Sequence, residues 1–177
     1  ERSAHRLPFI CIEGLRKKRV HIDADCESLE CFSLVSSGML IPMDVVEQVG
    51  GLNEELFLEY VDVEWCARAR CQGYFCFGTG RAEMKHPLGD NRILPGTRFS
   101  IPLHKPERHY YTMRNAMFML RQSSVPPGWK LNDLLRTVTS FLLFLLVNPP
   151  RLQQLRYMSL GIWHGLTGVT GKYNAKT

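Results

Sequence analysis

Four chemically capable side chains, Glu59, Asp62, Glu64 and Arg68, fall within ten residues. Glu64 and Arg68 stand four apart with the acid nearer the N-terminus, the spacing that lets them pair on one helix face. Asp62 and Trp65 are three apart and share a face as well. This spacing puts Asp62 in the first turn of a helix, where the dipole favours a carboxylate. A carboxylate in that position is a cap of the helix or, in a cleft, an ionised group that can accept a proton. A second candidate is His86, followed by Pro87-Leu88-Gly89-Asp90. A neutral imidazole there is a surface residue or a metal ligand, and Gly89 would let backbone approach a phosphate.

The elements that must position these groups can be read from periodicity. Phe32–Ile41 is apolar and β-branched and reads as a buried strand. Pro42-Met43-Asp44 opens a short helix over residues 45–49, and Gly50-Gly51 closes it. The acidic helix is expected over residues 61–72, with Gly73 as its stop. Tyr74-Phe75-Cys76-Phe77 reads as a short strand. Residues 86–105, rich in Gly and Pro, read as an exposed loop. Helices are expected over 107–122, 130–147 and from Arg151 to about His164, separated by Pro126-Pro127-Gly128 and Asn148-Pro149-Pro150. Residues 1–30 read as polar and irregular, with a basic cluster Arg16-Lys17-Lys18-Arg19.

A chain of 177 residues, 45% hydrophobic, suffices for one domain with a substantial core. Its six cysteines form no Cys-x-x-Cys pair, and the five-residue recurrence of Cys66, Cys71 and Cys76 suits neither zinc nor one helix face. They read as reduced, mostly buried thiols. Charge is unevenly spread. Residues 126–177 hold Lys130, Arg136, Arg151, Arg156, Lys172 and Lys176 against the single acid Asp133, a surplus equal to the whole chain's net +5. Such a tail implies an anionic partner. The apolar run Phe141–Val147 is too short to span a bilayer, which needs roughly twenty residues. It suits an interfacial helix or a hairpin packed on its own domain. The basic residues do not alternate with aromatics in a nucleic-acid motif, so no nucleic-acid partner is expected. No charged-then-apolar leader opens the chain.

Several ordered blocks carry a resemblance to a known family. Phe32-Ser33-Leu34-Val35-Ser36-Ser37-Gly38-Met39-Leu40-Ile41, Val49 to Phe57, Tyr60-Val61-Asp62-Val63-Glu64-Trp65-Cys66, His86 to Asp90 and Arg108 to Asn115 together resemble inverting glycosyltransferases of the GT-A fold. The acidic block is closest in wording to bacterial rhamnosyltransferases. The resemblance implies an α/β chain: the acceptor-side, C-terminal half of a GT-A nucleotide-sugar transferase domain over residues 1–125, then a basic, amphipathic helical extension over 126–177. It makes Asp62 the base that deprotonates the acceptor hydroxyl. His86 becomes a ligand of a divalent metal, Mg or Mn, and Glu59, Gly38, Arg92 and Arg114 become substrate-binding. Glu59 would bind an acceptor hydroxyl, or is only an exposed acid at the helix lead-in. Arg92 or Arg114 would steady the diphosphate through bidentate bonds, or Arg114 is a salt-bridged helix residue. The chain departs from the family's acidic motif at Val61, where many relatives have an acid, and at Glu64, which replaces a later Asp.

Asp23-Ala24-Asp25 spells the family's Asp-x-Asp signature, but it follows a basic cluster rather than a buried strand and reads as coincidence. No Gly-rich phosphate loop precedes Phe32, so this chain alone is expected to lack the base-recognition site and to transfer no sugar. The resemblance implies a nucleotide-sugar donor, dTDP-rhamnose, and a glycan or lipid-linked acceptor. A cytoplasmic, peripheral location at the inner membrane face goes with it, reached through the C-terminal helices. The competing reading is a non-catalytic module docking on a membrane or a partner.

Overall fold

The computed structural model describes residues 7–84, 104–174 and the backbone of 91–93 and 100–102. The mixed α/β class is observed: three two-stranded antiparallel sheets and five α-helices among the described residues. The first thirty residues are not irregular. Phe9–Glu13 (β1) and Arg16–Val20 (β2) form a hairpin in which Phe9 faces Val20 and Glu13 faces Arg16. Phe9-Ile10-Cys11-Ile12 is a short apolar run, half-buried throughout, of the kind that forms a strand, whereas the basic cluster of β2 carries no apolar period of its own.

The strand expected over residues 32–41 is not formed. The ladder ends at Leu29–Cys31 (β3), which pairs with Cys76–Gly78 (β4), two residues beyond the start expected for that strand. Beyond Phe32 the chain turns at Ser36–Gly38, where Gly38 takes φ +86°, a conformation that suits glycine. Leu40 is 95% exposed, so the apolar run lacks the second layer a buried strand needs. Part of the stretch expected as loop is strand: Asn91–Ile93 (β5) pairs with Ser100–Pro102 (β6).

The helices follow their signals closely. Met43–Val49 (α1) and Val61–Cys71 (α2) stop at Gly50 and just before Gly73. Pro106–Arg121 (α3) has proline in its first turn, an acid at Glu107 and a base at Arg121, each at its favoured end. Pro127–Val147 (α4) starts three residues earlier than expected because Pro127 fits the first helical position. Arg151–Thr167 (α5) runs on to a left-handed Gly168.

Helix α5 lies along α3 so closely that a Cβ on Gly161 would sit 2.4 Å from the Tyr110 carbonyl oxygen. One on Gly165 would sit 2.5 Å from that of Arg114. The main apolar core joins Phe32, Leu56, Tyr60, Ala67, Met117, Val125 and Trp129. It therefore draws on residues from both sides of position 125, and the connection from α3 to α4 is threaded through it. All six cysteines are free, but only Cys31 and Cys66 are buried, fewer than expected, and Cys71 is exposed. Burial pushes the Cys31 thiol up to about 11. No helix among the described residues is long and apolar enough to cross a membrane.

Candidate active site

The acidic helix is set by what precedes it. From Phe57 to Tyr60 the backbone holds φ +58° at Phe57 and +64° at both Glu59 and Tyr60. Left-handed backbone is uncommon outside glycine, and each such residue costs of order 1 kcal/mol or more. At Phe57, with ψ −53° and Leu58 N–H donating to the Leu56 carbonyl at 2.6 Å, the chain makes the rare, strained hand of γ-turn.

That strain is held by a dense set of polar bonds. The Asn115 amide donates to the carbonyls of Leu56, Leu58 and Glu59 at 3.0, 2.5 and 3.0 Å. Its neighbour Arg114, only 2% exposed, donates to Leu56 and Glu55 carbonyls at 2.8 and 3.2 Å and to the Gly171 carbonyl at 2.5 Å. The segment after α5 closes over the same loop, with Gly171 N–H donating to the Glu55 carbonyl at 2.6 Å and Lys172 over the Phe57 ring. At the far end the Tyr60 phenol donates to Asp133 Oδ2 at 2.9 Å and accepts from Arg136, which itself bonds Asp133 Oδ1 at 2.9 Å. Burial pushes the Tyr60 phenol up, well away from ionisation.

The lead-in delivers Asp62 to the first turn of α2, as its spacing predicts. Asp62 is half-buried; Oδ2 accepts from Ser36 N–H at 3.2 Å and Oδ1 from Val63 N–H at 2.9 Å. The turn at Ser36–Gly38, expected as strand, is thus what brings a backbone donor onto this carboxylate. Gly38 lies within that turn, and a Cβ there would meet the Met84 side chain at 3.1 Å. A cleft of about 370 Å³ is lined by Leu52, Asn53, Glu54, Phe57 and Val61, the residue that precedes Asp62 in the chain. Two amide bonds to the carboxylate oxygens fix its direction while leaving lone pairs for a further proton donor.

The other acids divide by role. Glu64 is buried and pairs bidentately with Arg68, at 2.8 and 3.1 Å, as the spacing of four predicts. Arg68 goes on to cap Val49 and Gly51 carbonyls at 2.6 and 2.8 Å, and Trp65 Nε1 caps Gly50 at 2.8 Å. This pair fastens α2 to the end of α1. Glu59 is half-buried and pairs with Arg108 Nε at 2.5 Å. Arg114 is neither open to a ligand nor salt-bridged: its guanidinium is taken up by carbonyls and by Asn115 Oδ1 at 2.9 Å. His86 and the Arg92 side chain lie outside the described residues. Among the described residues, no three His, Cys, Asp or Glu side chains come together to hold a metal ion.

Asn115, Arg108, Tyr60, Asp133 and Arg136 were not singled out from the sequence for this site, although Asn115 closes one of the quoted blocks. The Asp133–Arg136 spacing of three was a legible pair. The bond from Asp133 to Tyr60 spans 73 positions and leaves no local signal.

No family model matches the chain, and no solved structure matches it significantly. A curated relative does: the dTDP-rhamnosyl transferase RfbF of Shigella flexneri, 31% identical over 178 aligned positions, taking in 98% of this chain and 59% of the relative. The chain resembles the C-terminal part of a rhamnosyltransferase. It spans about three-fifths of that relative's length, since the match covers 59% of it. The match reaches nearly end to end in this chain, so it includes the strained lead-in, Asp62 and the helices that clamp them.

Proposed function

We propose that this chain forms the acceptor side of an inverting glycosyl transfer, with Asp62 as the base. The acceptor hydroxyl would lie in the cleft bordered by Phe57 and Val61 and give its proton to Asp62 as its oxygen attacks the anomeric carbon. The bond to the nucleotide diphosphate breaks as the new glycosidic bond forms, with inversion. Glu59, oriented by Arg108, would take a hydrogen bond from another acceptor hydroxyl. The donor is a nucleotide sugar, dTDP-rhamnose by analogy with the relative's name, and the acceptor a glycan carried on a lipid at the inner membrane face. The departing diphosphate calls for positive charge. A divalent metal, magnesium or manganese, would draw its ligands from outside the described residues, His86 among them, and the proton transfer assigned to Asp62 does not depend on it.

One observation carries this reading: Asp62 opens α2 directly after a backbone held in strained, left-handed conformations at Phe57, Glu59 and Tyr60, and next in sequence to Val61 of the cleft. Strain of this kind gathers at functional sites. The test is sugar transfer by the protein containing this chain, wild type against Asp62→Asn. The expected result is a fall of roughly a hundredfold or more in turnover, with the melting transition and donor affinity kept. Unchanged turnover would refute Asp62 as base. The exposed apolar face of α4 favours a second reading, docking without catalysis, and under that reading the same substitution would leave both docking and stability unaltered.

A further inference from the structure

A second cleft, of about 260 Å³, lies between β2 and α4 and is lined by Lys17, Arg19, Asn132 and Arg136. Its composition follows from two periodicities. Lys17 and Arg19 share one face of β2 by the period of two, while Lys18, on the other face, pairs with Glu13. Asn132 and Arg136 share one face of α4 by the spacing of four. The hairpin is fastened against α4 by Asn132, which donates to the Leu15 carbonyl at 2.9 Å, and by Gly128, where a Cβ would strike the Gly14 carbonyl oxygen at 2.1 Å.

The cleft gathers three cations with little to balance them. Among the described residues, neither Lys17 nor Arg19 has a carboxylate within ion-pair distance. The one acid nearby, Asp133, is buried and already bonded by Tyr60 and Arg136. Burial, followed by the neighbouring Arg136, pulls the Lys17 amine below its ordinary range. Like charges crowded and partly desolvated cost free energy unless an anion joins them. Phosphate and diphosphate groups suit this arrangement, because guanidinium forks match their oxygens bidentately.

The same helix says what the anion is attached to. Immediately before Asn132 and Arg136 in sequence, Leu131 and Leu135 begin a stripe continued by Val138, Leu142 and Leu146. All of these are exposed, Leu146 by 67%. With Asp133 buried, the described surface of α4, α5 and the segment after it shows no carboxylate. A cationic cleft bordering an uncharged apolar stripe complements one kind of molecule, a phosphate head carrying a hydrocarbon tail.

We propose that Lys17, Arg19, Asn132 and Arg136 form a binding site for the phosphoryl head of a phosphorylated lipid whose tail lies along the Leu131–Leu146 stripe of α4. Calling that lipid the carrier of the acceptor rests on the transfer reading above, whereas the binding itself does not. Arg136 also holds the Tyr60 phenol, so an occupied head site would bear on the lead-in that carries Glu59 and Asp62.

The test is co-sedimentation of the chain with phosphatidylcholine vesicles containing a minor fraction of polyprenyl phosphate. Vesicles matched in total charge with phosphatidylglycerol, and inorganic pyrophosphate as competitor, distinguish the sources of phosphate. Binding to polyprenyl phosphate should exceed that to the charge-matched vesicles and fall roughly tenfold or more in Lys17→Gln/Arg19→Gln, as expected for lost charge-assisted bonds. Lys17 lies across from Ile12, which packs against the core, so the melting transition of this variant is measured beside its binding, and binding is compared only between folded proteins; Leu142→Gln should weaken vesicle binding without touching the cations. Equal binding to both charged vesicles would overturn the head site. Complete displacement by pyrophosphate at low concentration would assign the cleft to a soluble anion and overturn the lipid. Because the readout is binding, a chain inactive in transfer still answers the question.

Discussion

The lead-in to α2 and the outer face of α4 are opposite ways of departing from a relaxed soluble fold. In the lead-in the backbone is strained and almost every polar group is tied down, by Asn115, Arg114 and the segment after α5. Along α4 the backbone is regular helix, and the side chains of the Leu131–Leu146 stripe face solvent without apolar neighbours to cover them. The difference is instructive about what each region is for. Strained backbone persists only where surrounding bonds over-determine it, which pre-organises Asp62 and Glu59. An exposed apolar stripe is stable in geometry but unsatisfied in solvation, and the lipid tail proposed above would relieve that.

The comparison can be broken most severely at the α3–α5 contact. Gly161→Leu would force α5 away from the Tyr110 carbonyl, carrying off the segment that closes over Glu55. Overpacking of this kind should cost about 3 kcal/mol or more, read as a lower denaturation midpoint, and hydrogen exchange should quicken across residues 55–60. Wild-type stability would mean that α5 can shift without loss and that the clamp is not rigid.

A smaller and more local effect is expected at Asn115→Ala. The side chain bonds three carbonyls of the lead-in, and removing it leaves buried acceptors unmatched. The expected cost is about 2 kcal/mol, with amide exchange accelerated at residues 57–60 and unchanged in β1 and β2. A uniform loss across the molecule would show that the strain is not held locally.

Smallest is the effect of Leu142→Gln on α4. That position is exposed, so its stability in water should change by less than about 0.5 kcal/mol. A larger destabilisation would show that the stripe packs against the protein itself and would erase the contrast with the lead-in.

Helix boundaries were legible because their signals are local. Proline at the first helical position, acids in first turns and glycine after the last set α1 to α5 to within a few residues, and the Glu64–Arg68 pair needed only a spacing of four. The hairpin of β1 and β2 was missed because Arg16-Lys17-Lys18-Arg19 shows no apolar alternation; only its pairing with the apolar run Phe9–Ile12 makes it a strand. The run from Phe32 to Ile41 misled for the converse reason: it has strand composition, but after a single bridge from Ser33 to Ile10 the chain turns at Ser36–Gly38 and no ladder continues.

What the sequence by itself determined, then, is the acidic block, its place at the start of a helix, and the resemblance that the relative in Shigella flexneri supports. Only the tertiary structure decided what surrounds that block. It sent Arg114 into the interior to hold carbonyls rather than outward to a ligand, and placed Ser36 N–H on Asp62. It also set Tyr60 against Asp133 and brought β2 alongside α4 to gather the cations of the second cleft. The physical reason is range: caps and helix pairs act over three or four residues, whereas strain, burial and charge crowding depend on groups from distant parts of the chain meeting in one place.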